Sequence, residues 1–285
     1  MASFSWRQWS AITIGIIVFI SLFFINRKPK TESSQPQAAG HAAQTINIDS
    51  IFSQAEAQVP ADVKDRVEKI KSSLGKVSMQ IQATLLDSLI NIFDSAGAQI
   101  PATYYTEKLA DMEHSSALWY NAGDGYYKCA EVMNTNARVP ILQHAMLCFD
   151  NSVKADSTNL SAIVGKGECI VQGGGNPMDG IKMIEAVLQR DSNNEKAHIA
   201  LGIFSIQSGQ FPKAIYRFKK VLKLDPTYTE AYVYLAQASE SSGDKASAIS
   251  YLKKYSTFVR DSAIKGQIND YIKKLENNTD QNNGK

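Results

Sequence analysis

Between positions 63 and 81 the apolar residues Val63, Val67, Ile70, Leu74, Val77 and Ile81 alternate spacings of four and three, which keeps one face of an α-helix apolar. Two arrangements satisfy that seam: a short coiled-coil pairing, or helices over 61–74 and 77–96 that pack on their neighbours, with Gly75 breaking the run. Pro60 and Pro101 mark helix starts. Leu86, Leu89, Ile92 and Phe93, then Ala102, Tyr105 and Leu109, predict a helix pair folded at Gly97. Near the other end, Ile264, Ile268, Tyr271, Ile272 and Leu275 give one more amphipathic helix.

The pattern between these limits repeats. Ala197 recurs as Ala231, Leu201 as Leu235, Gly209 as Gly243 and Ala214 as Ala248, each pair 34 residues apart. Within one copy, Leu201 and Gly202 permit close approach of two helices, Gly209 the turn, Ala214 the contact, and Pro226 the stop. With the runs Ala197-His198-Ile199-Ala200-Leu201-Gly202 and Leu224-Asp225-Pro226, the chain resembles the tetratricopeptide repeat proteins, whose period this is. The resemblance implies an all-α solenoid of stacked helix-turn-helix pairs, because one pair cannot bury its own apolar face.

Two further units follow the pattern less closely. Trp119, Ala122, Gly123 and Tyr126, then Ala145, Phe149 and Ser152, fit it with about ten extra residues around 134–140, expected to project as a loop at the array's edge. The unit over 160–192 carries Ala162, Gly167, Gly180 and Val187. Its turn, Gly173-Gly174-Gly175-Asn176-Pro177, follows no strand and precedes no Lys-Ser or Lys-Thr, so it is read as an interhelix turn and not as a phosphate loop.

By the resemblance, a partner would lie along the groove lined by first helices, at Val164, Glu168, Val171, Lys196, Ile199, Ile203, Val233, Tyr234 and Gln237. The clamp by which one subfamily holds C-terminal carboxylates is missing: its places are Val164, Glu168, Ala200, Glu230 and Tyr234. A mostly apolar groove suits an amphipathic helix or an extended peptide.

Composition narrows the function. The net charge of +2 carries no basic field that argues for nucleic acid. Cys129, Cys148 and Cys169 have neither pairing nor zinc spacing and read as buried small hydrophobes. His41, His114, His144 and His198 are scattered, and neither a zinc-protease nor a serine-hydrolase motif occurs, so no catalysis, metal or cofactor is expected. Glu168 and Glu240 read as isolated acids on a solvated face.

Positions 11–25 are apolar except for Thr13, Gly15 and Ser21, and with Trp9 the run reaches about 17 residues, near the short end for a spanning helix. Trp6 and Trp9 on one side and Arg27, Lys28 and Lys30 on the other suit the two interfaces, and no small residues follow Ile25 to permit cleavage. The expected organisation is an anchor over 1–30, a linker over 31–46, a helical region with a degenerate repeat over 47–114, about four repeats over 115–260, a capping helix over 261–276 and a disordered tail over 277–285. The expected function is a single-pass scaffold of a bacterial inner membrane that binds a protein or peptide partner, with the side of its repeat domain open. The alternative is a self-associating envelope component, a homo-oligomer whose groove is filled by its own helices over 61–96.

Overall fold

A computed structural model describes residues 47–280 apart from Asn134 and Gly174. The expected anchor over 1–30 and linker over 31–46, and positions 281–285 of the expected tail, lie outside the described residues. Among the described residues no helix is long and apolar enough to cross a membrane. The described residues fall in one compact unit.

The described residues form thirteen helices and no strand. They are α1 (Ile48–Glu56), α2 (Ala61–Leu74), α3 (Met79–Ser95), α4 (Gln99–Glu113), α5 (Ser116–Val132), α6 (Arg138–Ala155), α7 (Leu160–Gly173), α8 (Pro177–Arg190), α9 (Glu195–Gln207), α10 (Phe211–Leu224), α11 (Glu230–Ser241), α12 (Lys245–Ser256) and α13 (Ser262–Asp280). From α3 to α12 they pair as five antiparallel hairpins, each packed on the next, and α13 packs on α12.

Local chemistry sets the ends. Asn47, Ser115, Asn176, Asn194 and Asp244 each accept a hydrogen bond from a first-turn backbone N–H, satisfying donors that the helix leaves open. The turns of the last two hairpins need a left-handed residue, which Gly209 (φ +72°) and Gly243 (φ +90°) supply at the same place in each copy.

Small residues set how closely helices approach. A Cβ on Gly123 would lie 2.8 Å from the Phe149 ring, and one on Gly202 would lie 2.8 Å from the Phe218 ring. Five apolar clusters run through the stack, from Phe52, Phe93 and Tyr105 at one end to Leu252, Ile272 and Leu275 at the other.

Three expectations change. The extra residues of the 116–155 unit do not project as a loop: α5 and α6 are 17 and 18 residues long, against 13 and 14 for α9 and α10. Their added turns carry Tyr127, Ala130, Ile141 and Leu142 into the core, which favours longer helices over a solvated loop.

The 63–81 seam divides at the turn after Leu74, as the second of its two arrangements requires. Val63 and Val67 are buried against α3 and α4, whereas Ile81 is half exposed. Nor do the 61–96 helices fill the groove: α2 packs on α3 and α3 pairs with α4, which extends the array at its end. Finally, α13 continues past 276 to Asp280, since no glycine or proline stops it there.

The structure also adds α1, whose Ile51 and Phe52 are buried against α4 and α6. Phe52 stacks on Tyr104 with ring centroids 4.0 Å apart.

Candidate partner-binding face

The first helices of the repeats, α5, α7 and α9, pack on one another in sequence. Lys196 on α9 nevertheless reaches past α7 to α5. Its Nζ donates to the Tyr120 hydroxyl (2.8 Å) and to Asp124 Oδ1 (3.2 Å), and lies 3.9 Å from Glu168 on α7. A side chain spans three repeats in this way because the first helices share one face of the stack, called the inner face below. Lys128 supplies a second cation to Asp124 at 2.7 Å.

The charges of this cluster follow from its burial. Glu168 is only 9% exposed, and burial pushes its carboxyl up to about 7 against the pull of Lys196. Burial also raises Glu131, despite a hydrogen bond with the Tyr127 hydroxyl. Burial acts on Asp124 in the same direction, but Lys196 and Lys128 outweigh it and hold Asp124 below the usual carboxylate range. For Lys196 the neighbouring carboxylates outweigh desolvation, so its ammonium is retained. Asp124 is therefore a fixed anion, Lys196 a fixed cation, and Glu168 an acid pushed up to about 7.

Arg138, at the start of α6, secures one border of the face. Its guanidinium donates to the Ala130 carbonyl (3.2 Å), the Gln172 carbonyl (3.1 Å) and Gln172 Oε1 (2.7 Å), while Gln172 Nε2 donates to the Tyr127 hydroxyl (2.7 Å). The ends of α5 and α7 are thereby fastened to one another.

Of the nine expected groove residues, Glu168 and Lys196 join this cluster. Val164 does not line a surface: it is fully buried with Ile184 and Ala197, because it points between α7 and its neighbours. Val171, Ile199 and Ile203 are half-buried against the cores beneath them. Val233, Tyr234 and Gln237 are half-buried on α11, one repeat farther along, where the Tyr234 ring stacks on Phe218 at 4.6 Å and burial raises its hydroxyl to about 12.

Tyr120, Asp124, Tyr127 and Glu131 were absent from the expected set. The signal for them was the glycine register. Gly123, Gly167 and Gly202 each face a second-helix side chain, so Asp124 occupies in α5 the place of Glu168 in α7 and Ile203 in α9. Tyr120 corresponds in the same way to Val164 and Ile199.

A second polar cluster lies between α4 and α6. Glu107 Oε2 accepts from the Tyr126 hydroxyl (2.8 Å) and pairs with His144 Nε2 (2.9 Å), and these contacts hold the Glu107 carboxyl low although burial opposes them. Glu107, His144 and Cys148 are the one described trio whose donor atoms lie within 4.8 Å of one another as a metal would require. Here the Glu107 and His144 donors are turned to each other, and burial keeps the Cys148 thiol protonated. His198 is likewise occupied, with Nε2 on the Ser192 carbonyl at 3.0 Å and Nδ1 facing Arg217 at 3.2 Å.

The sequence profile of the tetratricopeptide repeat matches residues 205–266. None of the curated proteins matches the chain. Among solved structures, a tetratricopeptide repeat protein from Parabacteroides merdae ATCC 43184 is 16% identical, with 78% of this chain and 87% of that chain covered at a TM-score of 0.54. PilW, a type IV pilus biogenesis factor, is also 16% identical, with 78% and 99% covered at a TM-score of 0.50. At these identities the likeness is one of fold. Residues 205–266 thus carry the tetratricopeptide repeat, and the chain shares the fold of such proteins along most of its length.

Proposed function

We propose that this protein is a membrane-tethered scaffold that holds a partner protein, through an extended or helical segment, along the inner face of its repeats. The observation that carries the reading is the reach of Lys196 to Tyr120 and Asp124, which supports a curved face with half-buried polar groups beside half-buried Ile199, Ile203 and Val233. Apolar side chains would seat on the second set, and the acids would take a peptide N–H or a basic side chain. Tethering rests on the apolar run at 11–25 and places the scaffold at a bacterial inner membrane, where partners in the same membrane meet it at raised effective concentration.

The test is photo-crosslinking of the full chain in cells, with the crosslinking residue at Gln237 on the inner face or at Met178, 55% exposed on α8. An adduct from Gln237 that is absent from Met178, and lost with Ile203→Asp plus Val233→Asp, is expected. Identical adducts from both positions would overturn the assignment of the face. Alkaline extraction of membranes, with the mature N-terminus read by mass spectrometry, tests the anchor separately: an N-terminus within 31–46 would remove it.

A further inference from the structure

The second helices of the last two repeats differ from the other described helices in charge. Across α10 and α12 there are eight Lys or Arg and no Asp or Glu, in a chain whose net charge is +2. Lys219 and Lys253, and Lys220 and Lys254, are each 34 residues apart, so they occupy equivalent places on successive outer helices. Lys213, Lys219, Lys223, Lys253 and Lys254 are all exposed.

The repeat does not require these cations. In α8 the places of Lys213, Lys219 and Lys223 are taken by Asp179, Glu185 and Gln189, which pack equally well because they face water. Two acids approach the patch: Glu276 pairs with Lys253 at 3.0 Å, and Asp244, the cap of α12, lies near Lys219. The patch also exposes two rings beside cations, Tyr216 (63% exposed) next to Arg217 and Phe258 (43% exposed) next to Lys254.

We infer that the outer face of α10 and α12 docks on a bilayer surface bearing anionic phospholipid headgroups. Rows of exposed lysine on successive helices match a spread anionic plane by charge, and exposed rings flanked by cations suit the headgroup layer. The alternative polyanion, nucleic acid, is favoured by a groove that follows a backbone, whereas these lysines stand on outward helix faces. The assignment gains plausibility from the tethering proposed above, but its test does not depend on it, because residues 44–285 contain all five apolar clusters, and the described residues fall in one compact unit.

The experiment is sedimentation of residues 44–285 with vesicles of phosphatidylcholine, alone or with about a third phosphatidylserine. Binding to the anionic vesicles, weakened by salt and absent from the neutral ones, is expected. Lys219→Ala, Lys223→Ala and Lys254→Ala should together weaken it about a hundredfold, at about fivefold per lysine, while Lys182→Ala on α8 leaves it unchanged. Equal binding to both vesicle types overturns the inference and leaves the inner-face scaffold standing. Unchanged binding by the triple variant, with its melting temperature preserved, overturns it too. Tighter binding to an RNA or DNA oligonucleotide than to the vesicles reassigns the face to nucleic acid.

Discussion

The ring of Phe149 on α6 occupies the space that a side chain on Gly165 of α7 would need, and on its other side it meets Gly123 of α5. One side chain thus joins two repeats through glycines on both flanks. Gly165→Ala should lower stability by about 1–3 kcal/mol, since the buried ring has no room to withdraw. Gly266→Ala, in α13 with open space around it, should raise stability by about 0.5–1 kcal/mol by removing backbone freedom from the unfolded chain. Urea unfolding of the two variants reads the opposite signs.

Lys196→Met removes the cation shared by Asp124 and Glu168. The side chains involved are 26%, 22% and 11% exposed, so solvent screens part of the loss, and a cost of about 2 kcal/mol is expected at neutral pH. Addition of Asp124→Asn should recover part of it, because that carboxylate would otherwise keep only the exposed Lys128 as its cation. Chemical denaturation of the single and double variants checks this, and a double variant less stable than the sum of its parts would contradict the linkage.

Glu168 makes stability depend on pH in a defined direction. Its folded value of about 7 lies above the ordinary 4.5, so its contribution is fully present below the ordinary value and is lost as pH rises through 7. Glu168→Gln stays neutral throughout. Relative to the unmodified protein, it should gain about 2–3 kcal/mol between pH 4.5 and about pH 8. Paired thermal melts across that range measure the gain, and a constant difference would show that Glu168 is ionised like a surface acid.

Glu240 provides the fourth test. The hydroxyl of Tyr271 on α13 donates to both of its carboxylate oxygens, at 2.9 and 2.7 Å, so the acid fastens the capping helix to α11. Glu240→Ala should cost about 1 kcal/mol or more, beyond the half-kilocalorie scale of an ordinary surface change. Tyr271→Phe should cost a similar amount, and the double variant little more than either. Strictly additive losses in a double-mutant cycle would show that the two side chains act independently.

Glu240 also shows where sequence reading stops. Repeat register was legible because Gly209 and Gly243, or Ala214 and Ala248, are required by backbone geometry and close packing at one fixed spacing. An acid paired with a tyrosine from a non-repeating terminal helix has no such spacing, so Glu240 reads as solvated. The inner face was half legible for a related reason. Glu168 and Lys196 lie in regular repeats, whereas Tyr120 and Asp124 precede the extra residues of the 116–155 unit and fall out of the 34-residue count. Helix α1 escaped because its nine residues offer only Ile48, Ile51 and Phe52 as an apolar side, too short a run to separate from a loop.

The tie from α9 to α5 changes how the array responds to force. A stack whose members touch only their neighbours stretches like a coil spring, each joint yielding a little. A chord between its first and third members prevents that arc from opening until the chord breaks, so α5 to α9 form a stiff segment, and extension begins in α11 and α12 beyond it. Because the chord is largely buried, added salt weakens it much less than it would a surface ion pair. The elasticity of this array is therefore uneven along its length.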